Sequence, residues 1–527
     1  MKRLLINTSL LILLVASFSA CKKQIADDYA NPELSQTGSM SKLLSGMFIN
    51  KRMRPSYWDY ATFILPTTAS FSQTTALQPG TKMYVPSLSY TENRWVDFYA
   101  GSKSDDNDFN YVGPGIMANF REMQTTFGKL TPEEQADQLV FLNCAKVILF
   151  DQTSQMVDLW GDIPFGQAGS LNTPDRNVDP AAFEDAAAIY DTLISGLNSL
   201  NTYFETVQLS NVAKASLSKA DIMLKGDVNA WRRYTNSLRL RLLMRTSFVK
   251  EASAKTEVTT MLNNPVKYPL ISSNLENATI QMSPPSLKSD IFSALTGSPF
   301  APAFLLDTVM ATNDDPRTEV YWDKGTTHGL KGFPANGTAA AYEAAGYATY
   351  DSATFFNNYN VPGVIFTASE VSFLKAEAGE RWGIGSPLTD YTNGLKQSIE
   401  FYYGLNKAVV YRADQSWPVI PTPTDSAVNS FLTMPAIAYT GTTQQKLAKI
   451  WTQKWVNFFI LQAGEAWTEI RRTGYPKLPF PLASTSGSTV PPERLLYPST
   501  EQVYNPDNYA KVAAKDKANI KIFWDVR

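Results

Sequence analysis

The chain of 527 residues is poor in the residue types that many catalytic and metal sites require. It contains one histidine and two cysteines. Serine–histidine or cysteine–histidine catalysis therefore has His328 as its sole candidate base, and a metal site with several histidine ligands cannot form. His328 lies in the glycine-bounded segment 325–329, where we expect a surface residue. We predict no catalytic residue, no metal site and no cofactor.

An excess of either charge sign is also lacking. The net charge is −2, from 47 basic and 49 acidic residues, so nothing in the balance suggests a nucleic-acid partner. Hydrophobic residues make up 44% of the chain, which is typical of a globular protein. After the first twenty residues, no apolar stretch approaches the length of a membrane span.

The two cysteines occupy different settings, and this excludes a disulfide framework. Cys144 lies in an apolar helical pattern, which predicts a buried, unreactive thiol. Cys21 directly follows Phe18-Ser19-Ala20, and a short apolar run precedes them after Lys2-Arg3. This pattern predicts a lipoprotein signal peptide over residues 1–20 and lipidation of Cys21, which would anchor the chain to a membrane. The alternative is an ordinary secretory signal with a coincidental cysteine.

Helical periodicity covers much of the remaining chain. It predicts helices near 39–50, over 133–159, from Asp179-Pro180 through Leu197, after Asp227, over 369–382 and 390–403, and a last long helix over 444–472. Long connections rich in Gly, Pro, Asn and Thr separate these blocks. The pattern favours stacked helical hairpins of tetratricopeptide type, although no strict repeat period is readable.

Three segments concentrate charges and tryptophans at predicted helix ends: residues 158–165, 236–245 and 450–476. Their carboxylates could form an acid/base pair, Asp162 with Glu465 or Glu469. They could equally be buried ion pairs that tie helix ends together, with Arg241 and Arg245 on one helical face as partners. We favour the ion pairs, because a buried charge must find a partner.

With these segments, the chain resembles the SusD/RagB family of surface nutrient-binding lipoproteins, in particular its SusD-like branch, named as starch-binding and associated with the outer membrane. The matching pieces occur in the order of the family and span nearly the whole mature chain. They are Cys21 with its preceding signal, Asp158–Phe165, Asn236–Arg245, Asn313–Arg317, Ser369–Ala378 and Gln453–Pro476.

The resemblance implies a mainly α fold with about four tetratricopeptide-like hairpins and a loop-rich half that binds the ligand. We assign residues 1–20 to the signal peptide and 21–527 to a single SusD-like domain, with 21–38 as a tether. The hairpins are expected within about 39–60, 131–262, 366–405 and 440–475. The loop-rich half is expected within about 61–130, 265–365, 406–440 and 476–527.

The resemblance also implies the function and the partners. The chain would be a lipid-anchored, outward-facing protein of the outer membrane that binds an oligosaccharide or other nutrient. It would deliver this ligand to a TonB-dependent, SusC-like β-barrel transporter without acting as an enzyme. Two alternatives are a glycoside hydrolase that uses paired carboxylates on a helical scaffold, and a binding lipoprotein of a periplasmic importer. The second usually has two α/β lobes, and no βαβ pattern is present.

Ligand contacts in such proteins come from variable loops, so no residue can be transferred from the family. Aromatic residues make up 12% of the chain, and rings in long loops suit the apolar faces of sugars, although most rings of a protein fill its core. From position and type, six residues are predicted to contact the ligand: Trp95, Tyr99, Trp322, Phe333, Tyr342 and Tyr347. The acidic run Asp105–Asn110 could offer oxygens to calcium, but it lacks the Gly and distal Glu of an EF-hand loop, and a solvated loop is favoured.

Overall fold

A computed structural model describes residues 39–76, 78–79, 84–101, 115–172, 179–284, 287–412, 417–480 and 488–527. Its α-helices are α1 Met40–Ile49, α2 Leu88–Tyr99, α3 Ile116–Phe127, α4 Pro132–Trp160, α5 Ala186–Thr206, α6 Asn211–Ala220, α7 Val228–Thr246, α8 Glu251–Asn263, α9 Ile291–Leu295, α10 Thr318–Tyr321, α11 Ala339–Glu343, α12 Ala368–Trp382, α13 Pro387–Lys407, α14 Asp425–Thr433, α15 Thr443–Phe458, α16 Ala463–Thr473, α17 Ser499–Tyr504 and α18 Pro506–Val512.

The other regular elements are short strands, π-helical segments and 3₁₀ turns. The strands form antiparallel pairs: β1 Ile163–Pro164 with β2 Phe183–Glu184, β3 Ala278–Ile280 with β6 Gly363–Phe366, and β4 Trp322–Asp323 with β5 Thr349–Tyr350. Segments of π-helix cover Asp59–Ala69, Phe304–Met310 and Ser352–Phe356, and 3₁₀ turns cover Ser170–Asn172, Asn274–Glu276, Ala311–Asn313 and Ala513–Lys515. The prediction of a mainly helical fold is confirmed.

The predicted signal peptide, the tether and Cys21 lie outside the described residues, and so does the acidic run Asp105–Asn110. In the part of the chain that the structure describes, no helix combines the length and the apolar character that crossing a bilayer requires.

Consecutive long helices are joined by short connections and pack against each other. The pairs are α3 with α4, α7 with α8, α12 with α13, and α15 with α16. Residues 128–131, 247–250, 383–386 and 459–462 connect them. Connections of this length keep the second helix next to the first. The two helices of each pair therefore pack their apolar faces against each other.

Local sequence explains where several helices begin and end. Thr131 accepts from the amide of Glu134, whose carboxylate accepts from the Thr131 amide, and this reciprocal capping box starts α4. Asp227 accepts from the amide of Asn229 and starts α7, as the sequence predicts. Gly161 adopts a φ of 80° and ends α4. Because glycine has no Cβ, it enters this region without steric penalty.

Two helix predictions are wrong in detail. The helix expected from Asp179-Pro180 begins only at Ala186, because Phe183–Glu184 pairs with β1 and Asp185 caps the helix. The single helix expected over 444–472 is two helices. The first helix ends before Phe459, whose φ is 42°, and residues 459–462 connect it to α16. The apolar pattern continues through this break, so periodicity could not reveal it.

The interior has two large hydrophobic clusters. The first gathers α1–α8 with the C-terminal segment and contains Trp160, Trp231 and Trp524. The second gathers α13, α15 and the segments between 291 and 361, and it contains Trp451 and Trp455. The region 61–130, expected to be rich in loops, also contributes the π-helix Asp59–Ala69 and helices α2 and α3.

Candidate functional site: an aromatic surface beside a buried ion-pair lattice

Aromatic side chains from the long segment between α9 and the end of β5 form one cluster, which we call the aromatic surface. It comprises Phe300, His328, Phe333, Tyr342 and Tyr347. Phe300, Phe333 and Tyr342 are buried, Tyr347 is partly exposed and His328 is exposed. The cluster therefore runs from the interior to solvent.

Backbone hydrogen bonds hold the segments that carry these rings. The amide of Ala301 donates to the carbonyl of Ala348 over 2.9 Å, and the amide of Phe333 donates to the carbonyl of Ala301 over 2.7 Å. The amide of Ala348 donates in turn to the carbonyl of Lys331 over 2.8 Å. These bonds join three chain segments into one unit, so the rings keep fixed relative positions.

Tyr347 is the central ring of the aromatic surface. The His328 imidazole stacks on it with 4.3 Å between ring centres and 30° between planes. Phe333 meets Tyr347 nearly at right angles, with centres 5.2 Å apart. Phe333 also meets Tyr342 edge to face at 5.0 Å. Stacked and edge-to-face pairs at these separations are favourable, so the exposed ring rests on an ordered aromatic base.

A tight loop presents His328, and glycine is needed where the loop closes. The amide of Gly325 donates to the carbonyl of Gly329 over 2.9 Å, and the amide of His328 donates to the carbonyl of Gly346 over 2.8 Å. A Cβ on Gly325 would lie 2.1 Å from that Gly346 oxygen, so no other residue fits without moving the backbone. The position of the imidazole is thus set by the loop.

A small pocket adjoins the aromatic surface on the side of the π-helix Asp59–Ala69. Its lining includes Gln73, Tyr84, Phe304 and Phe333. The Gln73 amide is oriented by donating to the Pro479 carbonyl over 2.6 Å. Rings with a few oriented polar groups are the usual lining of small-molecule sites. The aromatic surface and this pocket are together the candidate ligand site.

The structure separates the six predicted ligand residues. Phe333, Tyr342 and Tyr347 meet in the aromatic surface. Trp322 lies instead in the second hydrophobic cluster, 3% exposed, with its ring 5.1 Å from that of Tyr350. The assignment of all six residues to ligand contact stays a prediction.

Trp95 and Tyr99 lie elsewhere, on α2. Trp95 is 3% exposed and packs against Tyr99 and Trp160, with ring centres 5.0 and 5.3 Å away. Tyr99 is partly exposed and its hydroxyl donates to the Pro164 carbonyl over 2.7 Å. Sequence reasoning missed Phe300, which packs on Phe333, Tyr342 and Tyr347. Pro299 and Pro302 flank Phe300, and proline restricts the backbone. This spacing was the sequence signal for a segment that holds its ring in a fixed position.

The charged motifs form buried ion pairs, as favoured from the sequence. Arg245 pairs with Asp158 over 2.5 Å and with Glu465 over 2.6 Å, and so joins α4, α7 and α16. Arg241, one turn earlier, pairs with Glu370 of α12 over 2.6 Å. Each of these side chains is less than a tenth exposed. Bidentate arginine contacts of this kind fix helix orientation as well as neutralising charge.

A second group of ion pairs continues the network between α12, α15 and α16. Arg472 pairs with Glu377 over 2.6 Å and with Glu469 over 2.5 Å, while Lys454 reaches Glu469 over 2.7 Å. Burial alone would raise the pKa of Glu377, but Arg472 and Lys454 outweigh it and hold that pKa below its ordinary value. We call both groups the ion-pair lattice: Asp151, Asp158, Arg241, Arg245, Glu370, Glu377, Lys454, Glu465, Glu469 and Arg472.

The carboxylates proposed for an acid/base pair have other partners. Asp162 accepts from the Ala186 amide over 3.0 Å and pairs with Lys515 over 2.6 Å. Burial opposes ionisation of Glu465, yet Arg241 and Arg245 prevail and keep its pKa lowered. A general acid needs the opposite environment, one that holds its proton near neutral pH. Within the described residues, no three His, Cys, Asp or Glu side chains are grouped to hold a metal ion.

Comparison with known proteins places this architecture. A family model described as SusD-like, starch-binding and associating with the outer membrane matches residues 63–498. Among curated proteins, none matches the chain significantly. The fold is similar to that of a solved chitin-binding protein, at 19% identity and a TM-score of 0.71, over 92% of this chain and 100% of the other.

Two further solved structures have the same fold. A Bacteroidetes SusD-like protein matches at 18% identity and a TM-score of 0.70, over 93% of this chain and 100% of the other. A SusD homologue from Bacteroides fragilis matches at 18% identity and a TM-score of 0.68, over 92% and 99%. At such identities the structural similarity shows the fold alone, and the assignment to a family rests on the family model that matches the sequence. The chain belongs to the SusD-like family of starch-binding proteins associated with the outer membrane.

Proposed function

We propose that this chain is a cell-surface lipoprotein that binds an oligosaccharide and passes it to a TonB-dependent, SusC-like β-barrel in the outer membrane. The observation that carries the proposal is the aromatic surface, in which the exposed His328 stacks on the partly exposed Tyr347 at 4.3 Å. Sugar rings have apolar faces that pack on such side chains, and oriented amides such as Gln73 can bond their hydroxyls.

In this proposal binding is non-covalent and the chain is not an enzyme. The carboxylates of the charged motifs support this, because arginine and lysine occupy them inside the ion-pair lattice. The family membership agrees with a binding protein. A glycoside hydrolase would need two carboxyl groups that face a shared substrate, one of them protonated. No observation among the described residues favours that alternative.

Binding is tested by calorimetry with starch and chitin oligosaccharides. We expect Tyr347→Ala to weaken binding of the recognised oligosaccharide by about 1–3 kcal/mol, as loss of an anchoring aromatic does. Tyr90→Ala is the matched control, since this ring is 40% exposed but lies outside the aromatic surface. Equal affinity of Tyr347→Ala and the parent chain would remove the aromatic surface from the site. Release of reducing ends during the titration would favour the hydrolase.

Anchoring and transfer are tested in cells. Cys21 stands at the first position after the predicted signal peptide, and we propose that its lipid holds the protein on the outer face of the membrane. Cys21→Ala is expected to move the protein from the membrane fraction to the soluble fraction. Affinity purification of the anchored protein is expected to recover a β-barrel transporter. Persistent membrane retention of the variant, or no barrel in the purified material, would contradict the respective step.

A further inference from the structure

A second concave site lies on the first hydrophobic cluster, between the end of α2, strand β1 and helix α17. We call it the C-terminal pocket, and its lining includes Tyr99, Pro164, Ala181, Glu501, Tyr504 and Asn505. Its volume is about 290 Å³. Tyr99 and Trp95, separated from the aromatic surface, belong to this part of the molecule.

The rim of the C-terminal pocket carries an aromatic ring in solvent. Tyr504 is 76% exposed, and it lines the pocket at the last turn of α17. A single exposed apolar side chain needs no explanation. Here, however, the ring lines the same pocket as Tyr99, whose own ring packs on Trp95 at 5.0 Å. A flat ligand entering the cavity would cover the Tyr504 ring.

A fixed carboxylate forms part of the wall. Asn505 Nδ2 donates to Glu501 Oε2 over 3.2 Å, and the Trp95 indole also donates to this carboxylate. A carboxylate can accept about four hydrogen bonds, so two such donors leave room for donors of a ligand. Side chains held in place by their neighbours bind with little further loss of freedom.

The charges around the pocket select the ligand type. Among the lining residues that the structure describes, Glu501 is the one charged side chain. Burial raises the pKa of Glu501, and the nearby Glu92 adds to this effect. An acidic ligand would therefore meet repulsion from Glu501, whereas hydroxyl or ammonium groups would donate to its carboxylate.

We infer that the C-terminal pocket is a second carbohydrate site, which takes one sugar residue that bears hydroxyl or ammonium donors and no acidic group. The inference rests on the proposed function, because it assumes that oligosaccharides are the ligands. It adds a site on the first hydrophobic cluster, whereas the aromatic surface adjoins the second.

The experiment uses glucose, glucosamine and glucuronate as probes with the purified full chain, and saturation-transfer NMR titration as the readout. We expect glucose or glucosamine to bind more tightly than glucuronate. Tyr504→Ala should weaken binding at this site on the order of tenfold. Val503→Ala is the matched control, because Val503 is 67% exposed on the same helix and is absent from the lining. Since Tyr504 is exposed, its removal leaves the fold intact, which circular dichroism verifies.

Comparison with Tyr347→Ala separates the two proposals. Loss of one binding event in Tyr504→Ala and of another in Tyr347→Ala would support both sites. Binding that depends on Tyr347 but is unchanged in Tyr504→Ala would overturn the second site alone. Preference for glucuronate would overturn the ligand class of the pocket. Absence of saturation transfer from any probe, together with no oligosaccharide binding, would overturn the proposed function as well.

Discussion

The aromatic surface and the ion-pair lattice differ in where the chain places their side chains, at the surface or in the interior. The lattice buries ten charged side chains between α4, α7, α12, α15 and α16, with contacts such as Arg245 to Asp158 at 2.5 Å. The aromatic surface brings rings outward, from the buried Phe300 to the exposed His328. The lattice joins helices in the interior, whereas the aromatic surface leaves His328 and part of Tyr347 exposed to solvent.

This difference explains why the most readable motifs do not coincide with the candidate ligand site. Charges beside tryptophans at helix ends stand out in a sequence, yet their partners come from distant helices and leave few atoms for a ligand. A buried ion pair contributes modest net stability, but loss of one partner leaves an uncompensated charge. Motifs of this kind therefore mark the scaffold, and substitutions should separate the two regions by what they change.

The largest effect is expected in the lattice. Arg245→Met removes the shared partner of Asp158 and Glu465, both buried, and should lower the free energy of unfolding by about 3–5 kcal/mol. Urea denaturation followed by circular dichroism measures the change. Lys250→Met is the matched control, because its side chain is partly exposed and its partner Asp191 is largely exposed, and it should change stability by less than about 1 kcal/mol. Similar losses in both variants would show that burial does not distinguish these pairs.

A smaller effect is expected from pH, because buried carboxylates of this chain have pKa values shifted in both directions, raised for Asp351 and Asp151 and lowered for Glu377. At the residue after β5, burial raises the pKa of Asp351 to about 7, with a further contribution from Asp323. The folded state then binds more protons than the unfolded chain between about pH 4 and 7, so stability falls as pH rises through that window. In the lattice, the lowered pKa values of Glu377, Glu465 and Glu469 contribute stability above about pH 4.5 that is lost on acidification.

Unfolding free energies measured from pH 4 to pH 8 are therefore expected to peak near pH 5. The decline from pH 5 to pH 8 should be on the order of 2–4 kcal/mol, with Asp151, whose pKa burial raises to about 6, as a second contributor. Asp351→Asn mimics the protonated acid and can still accept from the Thr354 and Asn406 donors. It should flatten this decline. A decline as steep as in the parent chain would assign the effect to other carboxylates.

Much of the fold follows from the sequence, because the spacing of apolar residues that predicts a long amphipathic helix lies within that helix. Asp227 starts α7 where the sequence predicts a helix, and Thr131 and Gly161 bound α4 within two residues of the predicted range 133–159. The break at Phe459 could not be found, since it depends on a positive φ at a non-glycine residue within an apolar pattern that continues through it. The pairing of Phe183–Glu184 with β1 likewise depends on a contact between segments distant along the chain.

The candidate site is harder to predict because residue type does not state exposure. Trp322 and Tyr347 both lie in the same long connection, and both satisfy the rule that loop aromatics bind ligands. Pairing of β4 with β5 turns Trp322 into the core, while Tyr347 stays partly exposed two residues before β5. Exposure here is decided by strand register, which a lone sequence leaves open.

The smallest expected effect concerns His328, the outermost ring of the aromatic surface. His328→Phe keeps a ring that can stack on Tyr347, whereas His328→Ala removes it, so the alanine variant should bind the recognised oligosaccharide about 0.5–1 kcal/mol more weakly than the phenylalanine variant. Both variants should unfold within about 0.5 kcal/mol of the parent chain, because the side chain is exposed. Calorimetric titration of the three proteins measures the difference. Equal affinities would mean that the ligand rests on Tyr347 alone, whereas loss in both variants would assign the contact to an imidazole hydrogen bond and not to stacking.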